Sequence, residues 1–330
     1  MSWKYINPGD RRLLHNWSTS YYSNYVGKAG APRTGRAFYV SDSSSTPKYP
    51  ITVPDGIKEM WMRYSEFVAW CSSTSYYTLI TLCTPTYSQN KSVSVYMYSA
   101  SVRTEYYPNS SSYKYVSYAL GKSWPYFADI WLHVKSGITD GVLEVYVDRV
   151  RAAYFSNVNI LNGEDIKFYR FYEYTANSAA YSDIIMSDEP IDMNEHCAIL
   201  PIKATTAEGW TYDETSGVYT TDAADKTLWR VPDVDQFKKE IGYSKPKITS
   251  ISTPAFGAST TDDETVDTIK QQVRQNQQTA DGASASISST ATNILSAPLT
   301  VNPVTNTSWT LSDLSNAEFG LTTAKSVSEG

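Results

Sequence analysis

The first half of the chain alternates apolar and polar residues, which is the pattern of strands that bury one face. In KSVSVYMYSA, Val93, Val95 and Met97 share one face. VLEVYVDRV repeats the pattern with Leu143 and Val145 facing inward. Clusters of Ser, Asn, Gly and Pro separate such runs, and the SGITDG segment is typical of a turn. The pattern predicts a β-sandwich or jelly roll.

The 330 residues exceed what one hydrophobic core usually serves, so two domains are expected. The tyrosine-rich texture ends near Pro190, where a strand would stop because proline cannot donate to a ladder. We predict a first domain over residues 1–190, a linker over 191–196, and a smaller β-sandwich over 197–330. The predicted fold class is therefore all-β.

One segment of the second half is ambiguous. TDDETVDTIKQQVRQNQQTADG has Thr261 and Glu264 at capping-box spacing, and Val266, Ile269 and Val273 form one helical stripe. Local physics alone therefore predicts a helix here.

The segment DIWLHVKSGITDGVLEVYVDRV resembles the concanavalin A-like, laminin-G-like jelly-roll superfamily. The residues that carry this resemblance are Trp131, His133, Gly141 and Asp148. It implies a concanavalin A-like jelly roll for the first domain.

Further segments occur in the order SDIIMSDEPID, LPIKATTAEGWT and NTSWTLSDLSNAEFGLTTAK. This order resembles a group of phage virion proteins that are tail or tail-fibre-associated, and Trp309–Leu321 is its most specific part. The resemblance implies a structural protein that is assembled in the host cytoplasm and resides in the virion. Its implied partners are other virion proteins and copies of itself. In similar proteins residues 265–275 are extended, so we favour a strand there over the helix.

The end of this tail predicts a closing element of the second domain. Thr310 and Asp313 can cap a short helical turn. That turn would separate Trp309 from Phe319, and we expect both rings to be buried.

Composition narrows the classes of partner. The net charge is -6 and no Lys/Arg run forms a stripe for phosphates, which argues against nucleic acid. No apolar run reaches the length of a membrane span or a secretory signal. The cysteines fit no zinc spacing and are expected as free thiols. They are Cys71, Cys83 and Cys197.

The sequence carries no motif of catalysis or cofactor binding. The nearest acid cluster is Glu189, Asp192 and Glu195, whose three-residue steps would alternate faces of a strand. We interpret it as part of a solvated linker, and we expect no enzyme activity, no cofactor and no metal. A glycan-cleaving enzyme is the least favoured alternative.

Histidines and aspartates give no metal-binding pattern. Among His15, His133 and His196, His133 alternates with a tryptophan and predicts a sheet histidine. A loop-rim calcium site would draw on aspartates, but no spacing supports it. The candidates are Asp129, Asp140 and Asp183.

Tyrosines offer the sharpest functional hypothesis. The chain has 27 of them, and several occur in polar loops, where aromatic faces beside hydrogen-bonding groups can hold a sugar. Tyrosine is also favoured on strands and at protein interfaces, so a contact with neighbouring proteins is the preferred interpretation and a host-surface glycan the alternative. The candidate residues are Tyr76, Tyr77, Tyr106, Tyr107, Tyr113, Tyr115, Trp124 and Tyr126.

Overall fold

A computed structural model gives the fold of the chain as two compact units, Met1–Ala198 and Ile199–Gly330. Some residues within these units are left undescribed. The structure describes residues 4–7, 14, 22–26, 36–40, 49–68, 76–86, 88, 91–98, 101–109, 112–122, 126–173, 179–241, 246–258, 267–287, 289, 292–294 and 297–324. The predicted all-β class is confirmed.

Two sheets build the first unit. The eight-stranded sheet has the order β11-β10-β9-β4-β13-β3-β2, and β1 also pairs with β13. Its strands are β1 (Lys4–Asn7), β2 (Tyr22–Val26), β3 (Arg36–Val40), β4 (Glu59–Val68), β9 (Tyr126–Lys135), β10 (Gly137–Val147), β11 (Val150–Ile160) and β13 (Ala179–Ser187).

The second sheet of this unit has five strands in the order β12-β5-β6-β7-β8, and all its neighbours are antiparallel. Its strands are β5 (Tyr76–Cys83), β6 (Ser92–Tyr98), β7 (Ser101–Asn109), β8 (Ser112–Ala119) and β12 (Lys167–Glu173). A short 3-10 turn, Leu161–Gly163, precedes β12.

Aromatic rings pack the two sheets together. Phe171 of the five-stranded sheet lies 5.3 Å from Phe38 and 4.8 Å from Tyr181 of the other sheet, measured between ring centroids. Phe168 adds a further edge contact with Phe171 at 4.8 Å. All four side chains are fully buried. Rings that meet edge to face add to the stabilisation from their buried area, so this cluster joins the two layers of the jelly-roll sandwich.

In a regular strand, alternation along DIKFYRFYEY would place Phe168 and Phe171 on opposite faces, but β12 departs from it. A shift of register between Phe168 and Arg170 inserts one extra residue, so both phenylalanines point into the core. Bulky residues on both faces of such a segment favour a central strand, yet β12 lies at an edge of its sheet in the described part of the chain.

Other predicted faces are confirmed. Val93, Val95 and Met97 are buried, as are Leu143 and Val145. The predicted SGITDG turn is displaced, because β10 already begins at Gly137 and includes most of that segment. The tight turn lies instead at the other end of β10, where Asp148 and Arg149 both have positive φ, the geometry of a two-residue hairpin loop.

Residues 188–197, called the strap below, contain the predicted linker 191–196, and they belong to the first unit. Ile191 and Cys197 are buried with Ile185 against the outer face of the eight-stranded sheet. The indole of Trp131 donates to the carbonyl oxygen of Ile191 at 3.2 Å. The strap therefore packs on the first unit and is not a solvated connection.

The second unit is built on a five-stranded sheet of order β14-β17-β22-β19-β20, with two further two-stranded pairs, β15-β16 and β18-β21. Its helices are α1 (Val234–Ile241) and α2 (Leu311–Asn316). Its strands are β14 (Ile202–Glu208), β15 (Thr211–Asp213), β16 (Val218–Thr220), β17 (Thr227–Pro232), β18 (Ala255–Gly257), β19 (Thr268–Gln275), β20 (Gln278–Ser286), β21 (Thr292–Ile294) and β22 (Ala317–Ala324).

Residues 268–275 form a strand, so the extended conformation is confirmed for this part of 265–275. The helical stripe is overridden because β19 pairs on both sides, with β20 and with β22. Its burial alternates residue by residue, and Val273 is fully buried. Tertiary pairing thus outweighs local helix propensity.

The predicted closing element is observed. Thr310 caps α2, and its hydroxyl accepts from the backbone N–H of Asp313 at 3.1 Å while the Asp313 carboxylate accepts from the Thr310 N–H at 2.8 Å. Trp309 and Phe319 are buried, with ring centroids 5.7 Å apart. The Trp309 indole donates to the carbonyl oxygen of Leu299 at 3.0 Å.

We expect Trp309→Ala to destabilise the second unit by about 3–5 kcal/mol, because it removes a buried ring from the core. Calorimetry of the full chain should show a lower transition temperature for the second unit and an unchanged one for the first. Tyr212→Ala is the control, since Tyr212 is exposed on β15 of the same unit. An unchanged second transition in the Trp309 variant would mean that the ring is not part of the core.

Candidate functional site

Strand β7 divides its side chains between the core and the outside. Val102, Thr104 and Tyr106 face the core, whereas Arg103 and Glu105 alternate with them on the outer face. The neighbouring strand β8 is exposed along nearly its whole length. The outer side of β7 and β8 therefore forms a surface that strand alternation itself produces.

Three tyrosines, named the tyrosine row here, run along this surface. They are Tyr107, Tyr113 and Tyr115. The ring centroids of Tyr107 and Tyr113 lie 5.8 Å apart, and those of Tyr113 and Tyr115 lie 5.9 Å apart. Tyr113 is 47% exposed and Tyr115 is 53% exposed. The row thus offers consecutive aromatic rings with accessible faces.

Arg103 supports the row from below. Its guanidinium carbon lies 3.8 Å from the ring centroid of Tyr115 and 5.5 Å from that of Tyr113. The same group lies 5.7 Å from the ring of Tyr96 on β6. A cation over aromatic faces is attracted by the ring quadrupole, and Arg103 is itself largely buried. The rings are therefore held in place by a fixed contact.

Glu105 completes the polar part of this surface. Its carboxylate accepts a hydrogen bond from the Tyr96 hydroxyl at 2.8 Å and lies 3.6 Å from Arg103. Burial raises the pKa of Glu105, while the Tyr96 hydrogen bond and the Arg103 charge oppose that shift. The charges of Glu105 and Arg103 largely neutralise each other, so the tyrosine row carries little net charge.

Tyr106 was grouped with the exposed candidates by its sequence context, and this prediction is wrong. Its ring is 4% exposed and packs edge-on against Phe155 of β11 at 4.8 Å. Burial raises the pKa of its phenol. The reason is alternation, because Tyr106 and Tyr107 are neighbours on one strand and must point to opposite faces.

The remaining aromatic candidates are not brought to the row by any described contact. Tyr76, Tyr77 and Tyr126 lie on β5 and β9, and their side chains are outside the described residues. Trp124 lies wholly outside them. The structure thus assembles Tyr107, Tyr113 and Tyr115 from the predicted set. Sequence reasoning missed the supporting pair Arg103 and Glu105, whose alternation with Val102 and Thr104 is the signal that could have found them.

A second aromatic group lies on the outer face of the eight-stranded sheet. Trp61 stacks on His133 with centroids 4.6 Å apart and planes 3° from parallel. The Nε2 atom of His133 lies 2.9 Å from Glu59, so the predicted sheet histidine is confirmed. Trp61 and Trp131 are packed by the strap. The strap therefore covers much of this aromatic group. The group has fewer exposed rings than the tyrosine row.

Arg63 occupies the position where two of the calcium candidates meet. Its Nη1 lies 2.6 Å from the Asp183 carboxylate, and its Nη2 lies 3.2 Å from that of Asp129. His196 of the strap also contacts the Asp183 carboxylate, at 2.7 Å. The protein's own cation thus neutralises these acids, and the third candidate, Asp140, pairs with Lys135 at 2.7 Å. Within the described residues no group of three His, Cys, Asp or Glu side chains could hold a metal.

Two acids of the strap, Glu195 and Asp192, make structural contacts, whereas Glu189 and Asp192 are exposed as a solvated linker would have them. Glu195 forms an ion pair with Lys4 on β1. Asp192 accepts hydrogen bonds from the backbone and side chain of Asn194 at 2.8 and 2.9 Å. These acids were interpreted as parts of a solvated linker, but Glu195 is only 12% exposed.

Cys83 and Cys197 are buried thiols, whereas Cys71 and His15 fall outside the described residues. Burial raises the pKa of Cys197 well above the usual thiol value. Among the described helices, none has the length and apolarity to cross a membrane.

No protein-family model matches the chain, and no curated protein matches it. Several solved structures are similar in fold. The CBM40 module of Ruminococcus gnavus IT-sialidase is 8% identical, covers 47% of this chain and 91% of its own, and has a TM-score of 0.36. The heptameric SAP-like pentraxin of Limulus polyphemus is 13% identical over 54% of this chain and 81% of its own, with a TM-score of 0.32. The botulinum neurotoxin DC binding domain, solved with rat synaptotagmin II, is 7% identical over 88% of this chain and 76% of its own, with a TM-score of 0.33.

At this level the likeness concerns the β-sandwich fold alone and carries no argument about activity. Fold and site together define the class of the first unit, a jelly-roll β-sandwich with an exposed aromatic surface.

A buried tyrosine of β7 and an exposed tyrosine of β8 should respond differently to truncation. We expect Tyr106→Ala to cost about 3–5 kcal/mol in unfolding free energy, because it opens a cavity beside Phe155. Tyr113→Ala should change it by less than about 0.5 kcal/mol, as an exposed substitution. Urea unfolding of the first-unit transition measures both, and equal losses would contradict the assigned faces.

Proposed function

We propose that the protein is a non-enzymatic attachment component of a phage particle, and that its first unit binds carbohydrate through the tyrosine row. The observation that carries the proposal is the run of three rings at nearly equal spacing, two of them on the exposed strand β8 and the third, Tyr107, on the neighbouring strand β7. The second unit would join the protein to its neighbours in the particle.

The chemistry of the row suits sugar rings. The electron-rich face of an aromatic ring attracts the C–H face of a pyranose, and phenol hydroxyls can donate to and accept from its hydroxyl groups. The ring spacing is close to the length of one pyranose unit along a chain. An extended oligosaccharide could therefore place successive sugars on successive tyrosines.

The charges around the row favour a neutral glycan. Arg103 is already engaged by Glu105 and by the ring of Tyr115. Lys114 pairs in register with Tyr106, so it lies on the opposite face of β8 from the row. A carboxylated or sulfated sugar would meet no uncommitted cation among the described side chains of the row.

The non-enzymatic part of the proposal is supported by the positions of the acids. Hydrolysis of a glycosidic bond needs two carboxyl groups that flank it. Glu105 is half-buried beside Arg103 and Tyr96, and Glu195 is held by Lys4. Neither is placed as one of a pair over the tyrosine row.

The phage assignment is supported by the sequence resemblance, whose most specific part is Trp309–Leu321. Within that segment Trp309 and Phe319 form part of the core of the second unit. The side chains of strand β14 in that unit are exposed throughout and would offer a contact surface to other virion proteins. Assembly in the host cytoplasm and residence in the virion belong to the same proposal.

A glycan array with the full-length protein tests the binding proposal. We expect retention of neutral oligosaccharides, and at least a tenfold loss of affinity in Tyr113→Ala and Tyr115→Ala because each removes one ring of the platform. Tyr154→Ala is the matched control, since Tyr154 is 50% exposed on β11, outside the row. Equal loss in the control, or unchanged affinity in both row variants, would contradict the site.

The non-enzymatic assignment is tested on the same glycans. Incubation of each bound oligosaccharide with the protein should release no new reducing ends and no unsaturated products, as measured by mass spectrometry. Cleavage that survives in Tyr113→Ala would place an enzyme site elsewhere in the chain. Detection of the protein in purified phage particles, by mass spectrometry, tests its location.

A further inference from the structure

Strand β8 is an edge strand, and within the described part of the chain no strand pairs with it on the side away from β7. It pairs with β7, and the sheet order ends there. Tyr113, Tyr115 and Val116 are all substantially exposed, the last at 37%. In an edge strand, every second residue directs its backbone N–H and C=O away from the sheet, where another strand can pair with them.

Two of the other edges, β11 and β14, carry features that block such pairing. Strand β11 has register shifts against β10 and a positive φ at Asn157. Strand β14 has a register shift beside Ile202 and carries Lys203 and Glu208. From Lys114 to Ala119, β8 keeps a continuous register with β7. Bulges and charges protect edges, and β8 has no bulge over this stretch and one charge.

We propose that β8 pairs antiparallel with β8 of a second copy of this chain, centred on Val116. A two-fold axis perpendicular to the sheet would place Val116 opposite its own counterpart. The same axis would place Tyr115 opposite Ser117 and Tyr113 opposite Ala119, so each ring of one copy meets a small residue of the other. Lys114 would face Tyr118.

The side chains of β8 favour a second copy over a foreign strand. The sequence SYKYVSYA has one charged residue, and this register never sets Lys114 against itself. β-branched and aromatic residues stabilise cross-strand pairs, and a lysine beside an aromatic ring is a favourable contact. The strand is therefore complementary to itself in charge and in size.

Pairing would join two five-stranded sheets into one continuous sheet of ten strands. The outer faces of the two copies would coincide, so their tyrosine rows would lie on one surface on either side of the axis. The inference does not depend on glycan binding, because pairing uses the backbone and the facing side chains of β8.

Sedimentation velocity of the full chain over a concentration series tests the pairing. The wild type should be a dimer, and Val116→Lys should raise the dimer dissociation constant at least tenfold, because two lysines would meet on the axis. Val116→Glu should also be monomeric, because two glutamates would meet on the axis. An equimolar mixture of the Lys and Glu variants should recover the dimer.

Val218→Lys is the matched control, since Val218 is 50% exposed on β16 of the other unit, and it should remain dimeric. A monomeric wild type, or a Val116→Lys variant with wild-type mass, would overturn the proposal. If Val116→Glu dimerised by itself while Val116→Lys stayed monomeric, the register would be overturned, because the glutamate would then have to lie opposite Lys114. Glycan affinity, measured separately on the monomeric variants, keeps this outcome distinct from failure of the binding proposal.

Discussion

The packing of Phe171 against Phe38 and Tyr181 is the contact on which the first unit depends. It ties the five-stranded sheet to the eight-stranded sheet, and it determines which face of each strand is buried. Once that face is fixed, the alternate residues have no choice but to point outward. The outer surface of β7 and β8 is thus a consequence of core packing. Because Val102 and Thr104 face inward, Arg103 and Glu105 face outward.

The outer faces of the two sheets of the first unit differ in how far they are covered. The strap packs Ile191 and Cys197 onto the outer face of the eight-stranded sheet, and His196 joins the buried Arg63–Asp183 pair. A buried guanidinium requires such partners, since an unpaired charge in this position would be costly. The row on β7 and β8 has no comparable cover among the described residues. Aromatic rings that stay exposed on one outer face, while rings on the other outer face are covered, are the natural candidates for an external ligand.

Sequence patterns predicted the parts of the structure that depend on local alternation. The buried faces of β6 and β10, the all-β class, and the Thr310–Asp313 cap all follow from residue type and spacing. The sequence patterns failed where one inserted residue shifts the alternation of inward and outward side chains, as at Phe168 in β12. Helix α1 was also not anticipated, although the Asp233 carboxylate caps it by accepting from the Gln236 N–H at 2.9 Å.

The site was partly predictable for the same reason. Sequence context placed Tyr106 and Tyr107 together, whereas strand geometry separates them by burying the first. The contact of Arg103 with Tyr115 joins adjacent strands, and no spacing within one segment reveals it. The strap depends on contacts between Lys4 and Glu195, which lie far apart in sequence. Such contacts become visible only when the chain is folded.

We propose the tyrosine row as the surface that meets carbohydrate. A crystal structure of the full chain with the tightest-binding neutral oligosaccharide from the array tests it most directly. We expect sugar rings to stack over Tyr113 and Tyr115, with the sugar hydroxyls near the phenol groups. Sugar density at another surface, with the row empty, would contradict it.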